Sequence, residues 1–187
     1  MGDSRAVISK RGTAIPLSED HKPTNEKEIE RIVAAGGFVE FGRVNGNLAL
    51  SRAIGDFEFK QNKFLSPSQQ IVSADPEIRE YKLTCSKGSD DAQDDEFLVL
   101  ACDGIWDVMS NQQVVTFIRR ALAAGCSLPE ICERLMERCL ASDTELGGVG
   151  CDNMTVVIIA ILNGRTREEW ARWACQGEQP LEDNVGV

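Results

Sequence analysis

The spacing of apolar positions switches repeatedly along this chain, and each switch marks an element. Short alternations over Ala6–Ser9 and Thr13–Ile15 predict two strands about a Lys10-Arg11-Gly12 turn. Ile29, Ile32 and Val33 fall on one face of a Glu-rich stretch, which predicts a helix over Asn25–Ala35 that stops at Gly36-Gly37. Phe38–Ala49 predicts a pair of short strands turning near Asn45-Gly46. Ser51–Asp56 reads as irregular or briefly helical, and residues 60–70 as a surface loop. Ile71–Ser73 and Glu77–Leu83 read as strands divided by Asp75-Pro76. The continuous apolar runs Phe97–Ala101 and Met154–Leu162 predict buried strands. Between them, Ser110 with Gln113 and Ser127 with Glu130 have the spacing of capping boxes. The stripes that come next, Val114-Val115-Ile118-Leu122 and Leu128-Ile131-Leu135-Leu140, predict two helices ending near Ala124 and Leu140. Arg165–Cys175 predicts a short helix whose Trp170 and Trp173 cover core, succeeded from Gln176 by a polar tail without order.

The chemistry sits where the two apolar runs end and begin. The first stops at Cys102-Asp103-Gly104, and Asp107 comes four residues after Asp103. The second is led in by Gly150-Cys151-Asp152-Asn153. A buried strand has no structural use for a charge at its tip, and such a charge is costly unless a cation or hydrogen-bond donors meet it. If the strands pair antiparallel, the end of one lies beside the start of the other, and Asp103 and Asp152 converge. Two carboxylates held close favour a shared proton or a bound cation. Oxygen ligands suit Mg²⁺ or Mn²⁺. The chain has one histidine, His21, so a multi-histidine zinc site is excluded. Plainer readings stand beside these. Asp-Gly is a common turn pair, and Asp107 fits the start of a helix. Arg52 and Arg43 read equally as surface ion-pairing residues. The acidic run Asp90–Glu96 lacks the spacing and central glycine of an EF-hand and reads as a solvated loop.

Composition narrows the partners. The 187 residues suffice for one domain with a core, and 42% hydrophobic content is that of a soluble globular protein. A net charge of −10 argues against nucleic acid as a partner. It fits carboxylates awaiting cations, and equally a charge that serves solubility. Seven cysteines, an odd number without C-x-x-C spacing, read as reduced thiols of a cytoplasmic or nuclear protein. Gly2 lacks the Ser or Thr at position 6 that myristoylation wants, since Ala6 stands there. The longest apolar run is too short to cross a bilayer, so no membrane partner is expected. No Walker-type phosphate loop occurs.

The order Gly2-Asp3-Ser4-Arg5, Asp20-His21-Lys22-Pro23, Ala35-Gly36-Gly37, Arg43-Val44-Asn45-Gly46, Ser51-Arg52-Ala53-Ile54-Gly55-Asp56, Cys102-Asp103-Gly104-Ile105-Trp106-Asp107 and Asp152-Asn153-Met154-Thr155 resembles the PP2C family of metal-dependent protein serine/threonine phosphatases. Each motif is short, but their shared order is specific. The resemblance spans about residues 1–162, with a flap at about 25–56, and leaves 163–187 as an extension similar to those of fungal members. It implies an α+β fold, a β-sandwich flanked by antiparallel helices, incomplete on its N-terminal side. It implies a site for two Mg²⁺ or Mn²⁺ ions, with a third, weaker one. Asp103 and Asp152 match positions that bind these ions directly; Asp3 and Asp107, with Asp103, match the third site. Asn153 would steady the site from behind the ligands, and Arg43 would influence substrate binding from the flap. The implied reaction is in-line hydrolysis of phosphoserine and phosphothreonine in proteins by a metal-activated water, in a protein that is monomeric when complete. The family's Asp-Gly-His-Gly-Gly motif, its phosphate-gripping Arg and its Glu-Asp pair have no counterpart here. No catalytic residue beyond the ligands is therefore assigned. The chain is expected to be the C-terminal part of a catalytic domain, inactive alone. The alternative is a non-catalytic remnant acting as a binding or regulatory module.

Overall fold

The computed structural model describes residues 1–84, 94–142 and 148–181. In chain order the elements are β1 (Arg5–Lys10), β2 (Thr13–Pro16), α1 (Glu26–Ala34), β3 (Val39–Glu40), β4 (Arg43–Val44), β5 (Asp95–Ala101), α2 (Asp103–Trp106), α3 (Asn111–Ala123), α4 (Leu128–Cys139), β6 (Val156–Ala160) and α5 (Arg167–Ala174). Single 3₁₀ turns occur at Phe57–Phe59 and Pro67–Gln69. The chain divides into two compact units. The first comprises Met1–Ser4 and Glu19–Glu80, and the second Arg5–Ser18 and Tyr81–Val187.

The second unit is built on an antiparallel sheet of order β2-β1-β5-β6. Its first hairpin closes as expected, through Arg11 and Gly12 at φ 51° and 75°, the left-handed pair that a two-residue turn requires. Val7, Phe97, Val99 and Ala101 form the buried face and pack against Val114, Val115 and Ile118 of α3 and Ile131 and Leu135 of α4. Both helices begin with the predicted capping boxes. The Ser110 hydroxyl accepts from the Gln113 amide while the Gln113 side chain accepts from the Ser110 amide, and Ser127 and Glu130 repeat the arrangement. The opposite sheet face is more open, with Leu100, Val157 and Ile159 exposed. The α+β class holds. Of the sandwich, this unit shows one sheet with helices on one face.

Glu96 ties the C-terminal segment to this sheet. Its buried carboxylate pairs with buried Arg119 and accepts from the Ser9 hydroxyl and the Gly12 amide. Arg119 reaches on to Glu178 at 3.0 Å and to the Gln176 carbonyl at 2.8 Å. Trp170 is 2% exposed, and its indole N–H donates to the Glu96 carbonyl at 2.8 Å. Trp170 thus covers core as predicted, and Trp173, partly buried against the same core, lies beneath the Arg165 guanidinium. Residues 176–181, read as tail without order, are held instead by these bonds and by the Leu181 amide on the Arg120 carbonyl. Residues 182–187 lie outside the described residues.

The first unit has a small core of Ile32, Val44, Phe59 and Val72. Helix α1 begins after Asn25, whose side chain donates to the Asp20 carbonyl rather than capping the helix. The strand pair β3–β4 turns at Phe41-Gly42, φ 50° and 74°, and not at Asn45-Gly46. Asn45-Gly46 makes a second left-handed turn, and the Asn45 side chain accepts from the Phe38 amide to close the hairpin from outside. The strand expected at Ile71–Ser73 reduces to one bridge between Ser73 and Arg52. Glu77–Leu83 forms no strand, because no neighbour among the described residues pairs with it and Ile78 is exposed.

The acidic run also differs from expectation. Residues 90–93, like Cys85 and residues 146–147 of the Gly-rich loop, lie outside the described residues. Asp94, Asp95 and Glu96 are buried at the entry to β5, where the Asp95 carboxylate accepts from the Tyr81 hydroxyl and the Thr84 amide. Each charge is met from elsewhere in the fold, Glu96 by Arg119 and Asp94 by Arg165 at 3.6 Å.

Replacing Trp170 by Ala removes both a buried ring and a donor to Glu96. Urea unfolding monitored by circular dichroism should show a loss of about 3–5 kcal/mol. A loss below about 1 kcal/mol would mean that α5 contributes little to this core.

Candidate functional site

The β5–β6 pairing delivers the two predicted carboxylates to one end of the second unit's sheet. Ala101 stands opposite Val156, and the Cys102 amide donates to the Thr155 carbonyl at 3.2 Å. The Cys102 thiol donates to the Asn153 carbonyl at 3.3 Å and accepts from the Thr155 amide at 3.2 Å. Gly104 makes the approach tighter still. A Cβ at Gly104 would lie 2.3 Å from the Asn153 carbonyl oxygen, so no side chain fits there. Asp103 opens α2 and is half-buried, and Asp152 is exposed with one carboxylate oxygen accepting from the Asn153 amide at 2.7 Å. Asp107 closes α2 rather than opening a helix, its amide donating to the Asp103 carbonyl at 2.8 Å. Asn153 acts here through its backbone, accepting from Cys102 and meeting Asp152. Trp106 packs as expected, its indole donating to the Ala101 carbonyl beneath the Arg5 guanidinium.

Asp103 and Asp152 offer only oxygen donors, which fit a hard divalent cation and not a soft one. Among the described residues, no three His, Cys, Asp or Glu side chains form a group that could hold a metal ion. The pair therefore fits such an ion chemically as a partial set of ligands.

The remaining predicted residues lie in the first unit. Asp3 is paired with Lys22, Nζ to Oδ2 2.6 Å. Beside them the His21 amide donates to the Gly2 carbonyl at 2.9 Å, and its Nδ1 donates to the same oxygen at 3.2 Å. Burial, together with the Arg52 charge, pushes the His21 imidazole below its usual range, so it is neutral near pH 7. Its Nε2 has no hydrogen-bond partner among the described residues, and the nearest carboxylate oxygen, on Glu77, is 3.7 Å away. Arg43 is exposed and donates to the Asn47 carbonyl at 2.8 Å, which braces its own turn.

Sequence reasoning passed over Glu28. It is 3% exposed and holds Arg31, Arg52 and the Ser51 hydroxyl together. Arg52 does form an ion pair, but with this buried carboxylate and not at the surface. Burial alone would raise the Glu28 carboxyl; hydrogen bonds from Arg52, Ser51 and Arg31 outweigh it and bring the pKa down to about 2. The one available signal was an i,i+3 spacing to Arg31, which is common on solvated helix faces.

A protein phosphatase 2C family profile matches residues 1–146. The chain belongs to the protein phosphatase 2C family. Over 169 residues it is 62% identical to Protein phosphatase 2C homolog 2 of Aspergillus fumigatus, covering 90% of this chain and 38% of that protein. It is 56% identical over 183 residues to the homolog 2 protein of Schizosaccharomyces pombe, covering 96% of this chain and 47% of that one. A solved phosphatase from Toxoplasma gondii superposes with a TM-score of 0.70 at 34% identity, over 89% of this chain and 48% of its own. The chain thus spans less than half the length of these relatives. No helix among the described residues is long and apolar enough to cross a membrane.

In this family member the Glu28 cluster sets an acid limit. The Glu28 pKa falls from 4.5 to about 2 on folding. Its stabilisation is therefore complete above pH 4.5 and is lost as pH falls toward 2. Glu28→Gln should cost about 3–5 kcal/mol at pH 7, because two arginines are left without their carboxylate. The acid loss between pH 4.5 and 2 should shrink in the same variant. Chemical denaturation across that pH range checks both, and an unchanged acid profile would contradict the assignment.

Proposed function

We propose that this chain supplies part of the centre that hydrolyses phosphoserine and phosphothreonine in proteins. The observation that carries the reading is the contact of the Cys102 thiol and of Gly104 with the Asn153 carbonyl, which brings Asp103 and Asp152 to one sheet end. Asp103 and Asp152 would hold two Mg²⁺ or Mn²⁺ ions together with ligands from outside the described residues. Asp107 would serve a third, weaker ion. Bound there, such ions lower the pKa of water and neutralise charge on phosphoryl oxygens. The chain's own residues orient and support. Asn153 fixes the backbone behind Asp152, Gly104 permits the close approach, and Arg43, which braces its own turn, would influence substrate binding. His21 is engaged with Gly2 and is not assigned as a general acid.

The partial ligand set leads to a second expectation, that the 187-residue chain alone does not turn over substrate. It also leaves room for the alternative of a binding or regulatory module. One experiment separates these. Mn²⁺ binding is measured by calorimetry and phosphopeptide hydrolysis by phosphate release, for the chain and for Asp103→Asn. The expected result is Mn²⁺ binding that weakens about tenfold or more in Asp103→Asn, with no hydrolysis by either protein. Hydrolysis abolished by Asp103→Asn would confirm the site and overturn the expected inactivity. Mn²⁺ binding indifferent to Asp103 would overturn the site and favour the module.

A further inference from the structure

We infer that Arg119 and Arg120 of α3 form a groove for an extended acidic peptide, and that the chain's own Gln176–Leu181 segment occupies it as an exchangeable strap. The partner that fits carries a glutamate and, three residues later, a leucine.

The seated segment shows what the groove reads. Gln176, Gln179 and Pro180 are exposed, and it is their carbonyls that are held. Arg119 Nη2 donates to the Gln176 carbonyl at 2.8 Å, and Arg120 donates to those of Gln179 and Pro180 at 3.2 and 3.4 Å. The Leu181 amide donates in turn to the Arg120 carbonyl at 3.2 Å. Contacts of this kind tolerate any side chain. Two positions are different. Arg119 Nε donates to the Glu178 carboxylate at 3.0 Å, and Leu181 packs, partly buried, against the core of the second unit. Main-chain bonds thus supply affinity, while positions 178 and 181 supply selectivity. In a chain of net charge −10, two adjacent arginines turned to one segment reverse the local sign and suit an acidic ligand.

The way the strap is anchored allows it to leave. Arg119 is buried, but Glu96 is buried too and pairs with it whether or not Glu178 is present. Release of Glu178 therefore strands no buried charge, which is the loss that makes such pairs costly to break. The Glu178 side chain is 26% exposed, so its carboxylate is readily rehydrated. The Arg120 bonds lie at and beyond the long end of the usual range. Gly177, at φ 82°, provides the turn on which the segment swings away from α5. A segment held by so few buried contacts opens at a far lower free energy than the sheet beneath it.

Two measurements on the full chain test this. In hydrogen exchange followed by nuclear magnetic resonance, the Leu181 amide should exchange at least about 100-fold faster than the amides of the central strand β5. Glu178→Gln should quicken Leu181 exchange about tenfold further. In the second, a labelled peptide of residues 176–187 is titrated into the unaltered chain and into the double variant Glu178→Gln, Leu181→Ala. The double variant alters the occupant and leaves the groove's own residues intact. It should bind the peptide at least about tenfold more tightly than the unaltered chain, whose tethered strap competes. The same two substitutions made singly in the peptide should each weaken binding about tenfold. A Leu181 amide as slow as those of β5 overturns the inference. So does a double variant that binds no peptide or gains nothing over the unaltered chain, or binding indifferent to the peptide's glutamate and leucine.

Discussion

Asn153 occupies the space where a side chain at residue 104 would be. That single exclusion links the start of α2 to the loop entering β6, because only glycine lets the carbonyl approach so closely. The Cys102 thiol reinforces it, donating to the same carbonyl while accepting from the Thr155 amide. Asp103 and Asp152 are the residues adjoining these contacts. Their placement at one sheet end arises from backbone packing and not from attraction between the carboxylates, which repel.

The other internal carboxylates behave differently. Glu28 and Glu96 are each buried and each met by arginine, Glu28 by Arg31 and Arg52, Glu96 by Arg119. Burying them would be prohibitive without those partners, and removing one partner would cost more than the pair contributes. Each therefore acts as a tie. Glu28 binds α1 to the Ser51-Arg52 segment in the first unit. Glu96 binds β1, α3 and the C-terminal segment in the second. Asp3, less deeply buried, is met by the Lys22 ammonium instead of an arginine.

Periodicity made much of the fold legible in the sequence. The runs at 97–101 and 154–162 revealed two buried strands, and their antiparallel pairing placed Asp103 and Asp152 together. The stripes after Ser110 and Ser127 revealed α3 and α4, because capping boxes mark helix starts independently of the stripe. The hairpin turn was misplaced because Asn45-Gly46 is the stronger signal, while Phe41 at φ 50° is a conformation bulky residues rarely adopt. The Glu28 and Glu96 ties, and Lys22 on Asp3, left no periodic trace, since all of these pairs except Glu28 with Arg31 join residues far apart in sequence. Asp94–Glu96 looked solvated for the same reason. Charge alone does not disclose a distant arginine.

The most direct test of the account is paramagnetic broadening of backbone amide resonances by Mn²⁺ added well below stoichiometry to the ¹⁵N-labelled chain. The account predicts that the amides of Asp103, Gly104, Asp152 and Asn153 broaden together, and that Asp103→Asn abolishes the broadening at all of them. Broadening around Asp103 without Asp152, or at neither, would contradict the claim that the β5–β6 pairing builds one cation-binding end.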